Sequence, residues 1–564
     1  MRLREKFLSF SKYILSALFL VCGHSFLFAQ QEEASDSTNE TMVYLIHADE
    51  IRLDRFLNPD AHILRGNVVF RHDSMYMYCD SALFYQDRNM FNAYKNIKAV
   101  QGDTLFLYGD SLYYDGEKKM LRVRNNVKLI NNSLELVTDK LNYDRAKELA
   151  YFFDNGKMYD ENNTLSSKYG EYSTKTEMAS FYGNVDLVNK DYTLDSDTLL
   201  YHTTSKMAVI ISPTQIRNQS NLINSKHGFF YTDRKFIILL DRSMLISEDS
   251  LRTMTADSIV YNDNEHYAQA FGNILVDDNQ NNMGLRGNYL YFCELNDSIL
   301  VTDMAQAIIA QAPDSMFIHA DTFKVVTFFK MDTIADGTLV ATDSVLYRQF
   351  RGYNKAKGYK SDFQFMADSL VFDSRDTCLS MYKDPIIWSD NLQVLGELVK
   401  AYMNDSTLDW INVINQALFV EQTDSGYYNQ ISSREMKAFF RNGHMWRTDA
   451  DGNVQVVFYP IDQDQVMIGM NTTSAPNLSA FFTEQRTLEK MKIVGASKGV
   501  LYPMDKIPAN KKHLSNFAWF SSLRPYSKDD IFRWRTKNDS QKLKVTSTRK
   551  APLPTLKKNN KRKN

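Results

Sequence analysis

One short phrase recurs along most of this chain at an almost fixed interval. It is an acidic residue with its neighbour, then apolar residues, then an aromatic: Asp110-Ser111-Leu112-Tyr113-Tyr114, Asp139-Lys140-Leu141-Asn142-Tyr143, Asp197-Thr198-Leu199-Leu200-Tyr201 and Asp257-Ser258-Ile259-Val260-Tyr261. The closing tyrosine falls at Tyr85, Tyr114, Tyr143, Tyr172, Tyr201, Tyr231, Tyr261 and Tyr291, 29 residues apart four times and then 30 apart three times. A fixed period of this size means a stack of similar units, each packing on its neighbours. The length of 564 residues therefore does not by itself call for several unrelated domains.

Each unit has a second signature, a small turn-forming pair before a β-branched residue: Gly66-Asn67-Val68, Asn125-Asn126-Val127, Gly183-Asn184-Val185 and Gly272-Asn273-Ile274. Glycine and asparagine tolerate positive φ, which suits a tight reversal. Between the signatures, apolar residues alternate: Met75, Met77 and Cys79; Leu105 and Leu107; Leu134 and Leu136. Period two is a half-buried strand with one face toward an interior, and helical spacing is scarcely seen. Aromatics at 13% with only 11 prolines fit strands better than helices or disorder. The expected fold is all-β, a solenoid of stacked bent strands with about 29–30 residues per two-strand repeat.

The chain opens on an export signal. Arg2, Arg4, Lys6 and Lys12 are basic, residues 13–21 are largely apolar, and cleavage would follow Ala29. A lipid on Cys22 is disfavoured by the bulky Phe19-Leu20-Val21 before it. The expected boundaries are a signal peptide at 1–29, a polar linker at 30–44 and repeats at 45–300. Degenerate repeats or a second β-lobe follow at 301–500, where Thr342–Tyr347, Ala367–Phe372, Met436–Phe440 and Leu478–Phe482 restate the phrase loosely. An aromatic and proline-containing cap is expected at 501–535 and a basic tail at 536–564. That tail would either solubilise or be drawn to anionic lipid. The exported chain should be soluble or peripherally attached. Cys79, Cys293 and Cys378 are too few for a disulfide framework and read as small strand residues.

Catalytic signatures are missing. The sequence has no HExxH, no GxSxG and no phosphate loop, and its ten histidines lack ligand spacing. No enzyme activity, metal or cofactor is expected, and a net charge of -2 gives no reason to expect nucleic acid. Asp277-Asp278-Asn279-Gln280-Asn281-Asn282 lacks the order of a calcium loop and reads as a hairpin turn. Asp449-Ala450-Asp451-Gly452-Asn453 likewise reads as a turn between strands. The repeated Asp110, Asp139, Asp197 and Asp257 could form a cation ladder. Lysines at 140, 168 and 226 interrupt it, and a corner role in which the carboxylate satisfies backbone N–H groups is favoured. The repeated Tyr114, Tyr143, Tyr201 and Tyr261 either line a cavity or pack between rungs.

The order of the two phrases resembles the OstA-like family, which includes the lipopolysaccharide-transport protein LptA and the N-terminal domain of LptD. Gly66-Asn67-Val68-Val69-Phe70 precedes Asp80-Ser81-Ala82-Leu83-Phe84-Tyr85, and Gly183-Asn184-Val185-Asp186-Leu187 precedes Asp195-Ser196-Asp197-Thr198-Leu199-Leu200-Tyr201. Ala256-Asp257-Ser258-Ile259-Val260-Tyr261 repeats the second phrase. The resemblance spans residues 48–216. It implies an elongated β-jellyroll with an apolar groove for lipid A acyl chains, and transport partners joined end to end by strand addition, with self-association as a further option. It implies no catalytic residues. The chain is longer than LptA and lacks the long strand series of the LptD barrel.

The candidate groove residues are Val68, Phe70, Met75, Met77, Leu105, Leu107, Val127, Leu129, Leu134, Leu136, Val185, Leu187 and Leu194. The resemblance implies a periplasmic protein associated with the outer membrane, and the expected function is shielding of lipopolysaccharide acyl chains during transport to, and assembly at, the outer membrane. Two other readings stay open: a parallel β-helix that binds or cleaves polysaccharide, and an adhesin or spacer.

Overall fold

The computed structural model describes residues 42–536, apart from 54–58, 219–220, 311–313, 334–338, 405–406, 442–443, 463–465 and 484–487. The export signal, most of the polar linker and nearly all of the basic tail lie outside the described residues. Among those described there are strands and a few short 3-10 turns, with no α-helix. Every strand pairing is antiparallel, so a parallel β-helix is excluded for the described residues. The chain divides into two compact units, one of residues 1–132 with 139–148 and the other of 133–138 with 149–564.

The repeating element is a long strand bent in its middle. In Met178–Val188, Tyr182 pairs with Thr198 and Val185 with Ser196, so Gly183 and Asn184 together face the single residue Asp197. Both bulge residues are left-handed, with φ of 73° and 52°. Only glycine and asparagine adopt that region cheaply, which is why the pair recurs. The same doublet bends His62–His72 at Gly66-Asn67, Met120–Asn131 at Asn125-Asn126 and Tyr267–Asp278 at Gly272-Asn273. The expectation of a tight reversal at these pairs is therefore corrected: the strand turns a corner and continues. Asp449–Asn453 is corrected likewise, since Gly452-Asn453 is a bulge inside the strand His444–Phe458. The true reversals are polar turns such as residues 279–282, between Tyr267–Asp278 and Met283–Cys293.

Within each unit, bending gives the described long strands two halves, and the halves stack into two walls that meet along the corners. The aspartates hold this spine. Asn67 Nδ2 donates to Asp49, Asn96 to Asp80, Asn126 to Asp110 and Asn273 to Asp257, at 2.9, 2.8, 2.6 and 2.6 Å. Each carboxylate thus takes the amide of the asparagine in a neighbouring bulge. Asp139 and Asp197 sit exposed at the same corner.

Pairing past residue 300 follows the same bent-strand pattern, through Ser298–Thr302, Thr322–Thr333, Leu339–Tyr353 and onward to Gly469–Phe482. The aromatic segment after Pro503 covers the last strands, with Met504, Ile507 and Leu514 packed on Val457, Tyr459 and Met470. It then runs back over earlier ones: Ala518, Phe520 and Leu523 pack on Met366, Ile386 and Trp388. Gln393 reads its main chain like a strand partner, donating to Ala518 O at 2.8 Å and accepting from Phe520 N at 2.7 Å. Gln430 does the same with Lys512 O and Leu514 N, both at 2.8 Å. Phe365 and Ile387, of opposite parity to Met366 and Ile386, are buried too, so this stretch of wall is covered on both faces.

Candidate functional site

The inward faces of the two walls are lined by side chains in register from strand to strand. In the second unit one row on the first wall runs Leu136, Met158, Leu165, Leu187, Leu194, Ile216, Ile223, Leu245, with each residue paired to the next. It continues through Met254, Val276, Leu285, Ala307, Ile318, Gly358, Phe365, Ile387, Val394 and Phe419. On the second wall Ala150, Tyr172, Ala179, Tyr201, Ala208 and Phe230 pair in turn, large against small. In the first unit the corresponding row is Phe70, Met77, Ala99, Leu107 and Leu129.

All candidate groove residues face inward. Val68, Phe70, Met75, Met77, Leu105, Leu107, Val127 and Leu129 lie in the first unit, and Leu134, Leu136, Val185, Leu187 and Leu194 in the second. None is more than 7% exposed, so around them the interior is covered. The more open stretch comes later in the chain. Inward Leu245, Met254 and Val276 are only half-buried, and so are Tyr261, Phe292, Ile299 and Val325 on the second wall. These positions carry the same alternation as the candidates. They would have been found by extending the pairing register past Leu194 rather than following the Gly-Asn-Val phrase.

The repeat tyrosines separate by parity. Tyr114, Tyr143, Tyr172 and Tyr201 are buried inward, and Tyr261 is inward but half-buried. Tyr85, Tyr231 and Tyr291 do not hold the inward position. Their neighbours Phe84, Phe230 and Phe292 hold it, since adjacent strand residues face opposite ways.

Where the inward tyrosines reach the free side of the trough, they meet polar turns from the other wall. In the first unit Tyr114 Oη is 2.6 Å from His72 Nδ1 and accepts from Arg145 at 3.0 Å, while Asp73 pairs with Lys119 at 2.9 Å. Burial pushes the Tyr114 hydroxyl pKa up, against the pull of Arg145. In the second unit Tyr201 Oη donates to Asp160, which also lies 3.4 Å from Lys206 Nζ. Burial works against ionisation of Asp160. Hydrogen bonds from Tyr201 and from the Asn162 and Asn163 backbone outweigh it and hold the carboxyl below the usual range. Burial, then the contact with Asp160, raises the Tyr201 pKa.

Among the described residues no three His, Cys, Asp or Glu side chains are grouped to hold a metal ion. Cys79 is buried, and burial pushes its thiol pKa up to about 12, as expected of a packing residue rather than a reactive one. A cavity of about 570 Å³ beside Phe532 and Trp534 is lined by Thr302, His319, Asp321 and Lys355, away from the inward rows.

A model of the family described as OstA-like protein matches residues 40–197. This segment is OstA-like. The OstA-like segment holds the corners at Gly66-Asn67 and Gly183-Asn184 and every candidate groove residue. Among solved structures, the chain is similar to LptH from Pseudomonas aeruginosa, described as the LptA-homologous periplasmic component of a lipopolysaccharide transport device. The identity is 12% and the TM-score 0.18, over 18% of this chain and 79% of LptH. No curated protein sequence matches the chain.

Proposed function

We propose that this chain is a non-catalytic periplasmic protein that shields the acyl chains of lipopolysaccharide between its two walls during transport to, and assembly at, the outer membrane. The observation that carries the reading is the unbroken inward row from Leu136 to Phe419, which offers many similar apolar positions and no localised reactive cluster. Each CH₂ moved out of water is worth about 0.8 kcal/mol, so several acyl chains bind tightly in total. Near-equivalent rungs prevent a deep trap at any one of them. The OstA-like segment supports the same reading. In the second unit Leu134, Leu136, Val185, Leu187 and Leu194 line the path, and the half-buried Leu245, Met254 and Val276 mark where hydrocarbon meets it most readily; the other candidates line the interior of the first unit.

End-to-end partners are part of the proposal. The strand Tyr44–His47 begins the described pairing order and exposes Tyr44 and Ile46; Lys498–Pro503 ends it and exposes Val500 and Leu501. An edge of that kind suits strand addition by a transport component or a second copy.

The test is photo-crosslinking in the full chain. A photoreactive residue at Met254 should give adducts with purified lipopolysaccharide, and one at exposed Leu275 on the opposite face should not. Equal labelling at both positions, or none at Met254, would refute the reading.

A further inference from the structure

The two walls join along the corners, so the trough has one free side. In the OstA-like segment and the strands just after it, turns of the two walls meet there through polar groups. Asp160 and Asn163 sit in one first-wall turn. Asp160 accepts from Tyr201 and lies near Lys206, and Asn163 Nδ2 donates to Thr232 Oγ1 at 3.0 Å. Asp191 and Tyr192 form a second station in the next first-wall turn. Asp191 pairs with Lys235 Nζ at 3.0 Å, and Lys235 also lies 3.6 Å from Asp263. Tyr192 packs edge-on against Phe230 at 5.1 Å. Beneath both stations Leu165, Leu187 and Leu194 have no solvent exposure. Further along, where Leu245, Met254 and Val276 take the same inward positions, they are only partly buried.

We propose that these two stations are a latch across the free side, and that a ligand enters the interior under residues 156–217 only when the latch opens. The inference rests on the interior being the ligand path. It adds that this path is gated by wall-to-wall polar contacts rather than permanently open. The chemistry suits reversible opening. Apart from Asp160, the charged partners keep some water contact while closed: Lys206 is 17%, Lys235 32% and Asp191 37% exposed. On opening, Asp191 and Lys235 exchange each other for water, Asp160 gives up Tyr201 and Lys206, and the one apolar contact of the two stations that parts is that of Tyr192 with Phe230.

The experiment uses the full-length chain with its native cysteines replaced. Spin labels on exposed Lys190→Cys and Arg234→Cys report the width of the free side with no probe in the core. Asp160→Ala with Asp191→Ala should broaden and lengthen that distance; an unchanged distribution would overturn the latch. Separately, Asn163→Cys with Thr232→Cys forms a lockable pair, and a photoreactive residue at Leu187 reports purified lipopolysaccharide. Oxidation should cut adducts by roughly tenfold or more, a tenfold loss corresponding to about 1.4 kcal/mol, and reductant should restore them. Equal adducts in both redox states would also overturn the latch. A widened free side with no adduct in any state keeps the latch and overturns the lipid reading instead.

Discussion

Tyr201→Phe tests the energetics of the free side most directly. The substitution keeps the ring, which is fully buried against Ala179 and Ala208, and removes only the hydroxyl. That hydroxyl donates to Asp160, whose side chain is 1% exposed, and accepts from Asn163 Nδ2 at 2.9 Å. A hydrogen bond to a buried charge is worth about 1.5–3 kcal/mol, and Lys206 and the Asn163 amide remain to compensate in part, so a cost of about 2 kcal/mol is expected. A global melting midpoint is the wrong measure, because a stacked array opens in parts. Native-state hydrogen exchange over Thr164–Ser167 and Thr193–His202 reads the local opening energy instead. The sign with pH follows from Asp160, whose folded pKa is depressed. Its contribution is complete above the unfolded value near about 3.9 and is lost as pH falls through the folded value. The gap between wild type and variant should therefore close from about pH 4 downward. A cycle with Asp160→Asn should show coupling above about 1 kcal/mol. Additive effects, or a gap that persists unchanged at low pH, would refute the assignment.

Other consequences are open to measurement. Leu136→Asp places a carboxylate at a fully buried inward site and should cost several kcal/mol, while Met254→Asp, half-buried, should cost about 1–2 and mainly depress glycolipid labelling; both are read by urea denaturation and crosslinking. Gly183→Ala meets nothing closer than 3.5 Å and should lose only the left-handed strain of about 1 kcal/mol, whereas Gly66→Ala drives a Cβ into the Asp49 carboxylate and should lose more. Lys357, fully buried with Nζ donating to Arg533 O at 2.6 Å, has its pKa lowered to about 8 by burial first, then by Arg535. Because the folded value lies below the unfolded one, the charged form burdens the folded state below about pH 8 and the burden lifts as pH rises toward about 10. Exchange protection of residues 517–535 should therefore increase over that range, the neutral amine still donating to Arg533.

The sequence carried the local geometry well and the long-range register poorly. Alternation at Met75, Met77 and Cys79 or at Leu134 and Leu136 is a direct image of one-sided burial, so inward residues were readable wherever it was clean. The Gly-Asn doublets announced positive φ, but positive φ is shared by hairpin turns and strand bulges. Only the pairing of Tyr182 with Thr198 and Val185 with Ser196 tells a corner from a reversal. Phrase matching overshot at Tyr231 and Tyr291, since a one-residue change in spacing moves an aromatic to the other face and hands the inward place to Phe230 or Phe292. The contacts between Asp160 and Tyr201 and between Asn163 and Thr232 join residues 41 and 69 apart, and Asp160, Asn163 and Thr232 sit in turns with no recurrent signature. No local pattern encodes them. The same holds for Gln393 and Gln430, which look like ordinary strand residues until the chain returns more than 80 residues later to lie on them.

A trough for hydrocarbon faces two demands that oppose each other. It must exclude water to hold acyl chains, yet it must let a molecule with a large polar head move in and out along its length. A permanently sealed interior meets only the first, and a wide-open one gives up much of the contact that makes burial favourable. Under the proposed function, this chain divides the demands along its sequence. Inward residues from Leu136 to Ile223 are dry beneath turns joined by Asp160, Asn163 and Asp191, while Leu245, Met254 and Val276 extend the same registered row with their faces half in solvent. Under the proposed function, continuity of the row means that an acyl chain seated at Met254 shares a wall with Leu194 and need not return to water to pass between them. In the proposed latch, the polar turns then set how much of that wall is accessible at any moment. The two regions are accordingly separable by mutation: changes at Asp160 or Asp191 should alter access to Leu187 without altering the affinity measured at Met254, and changes at Met254 should do the reverse. Loss of both together from either kind of substitution would mean that the row acts as one packed core rather than as a path.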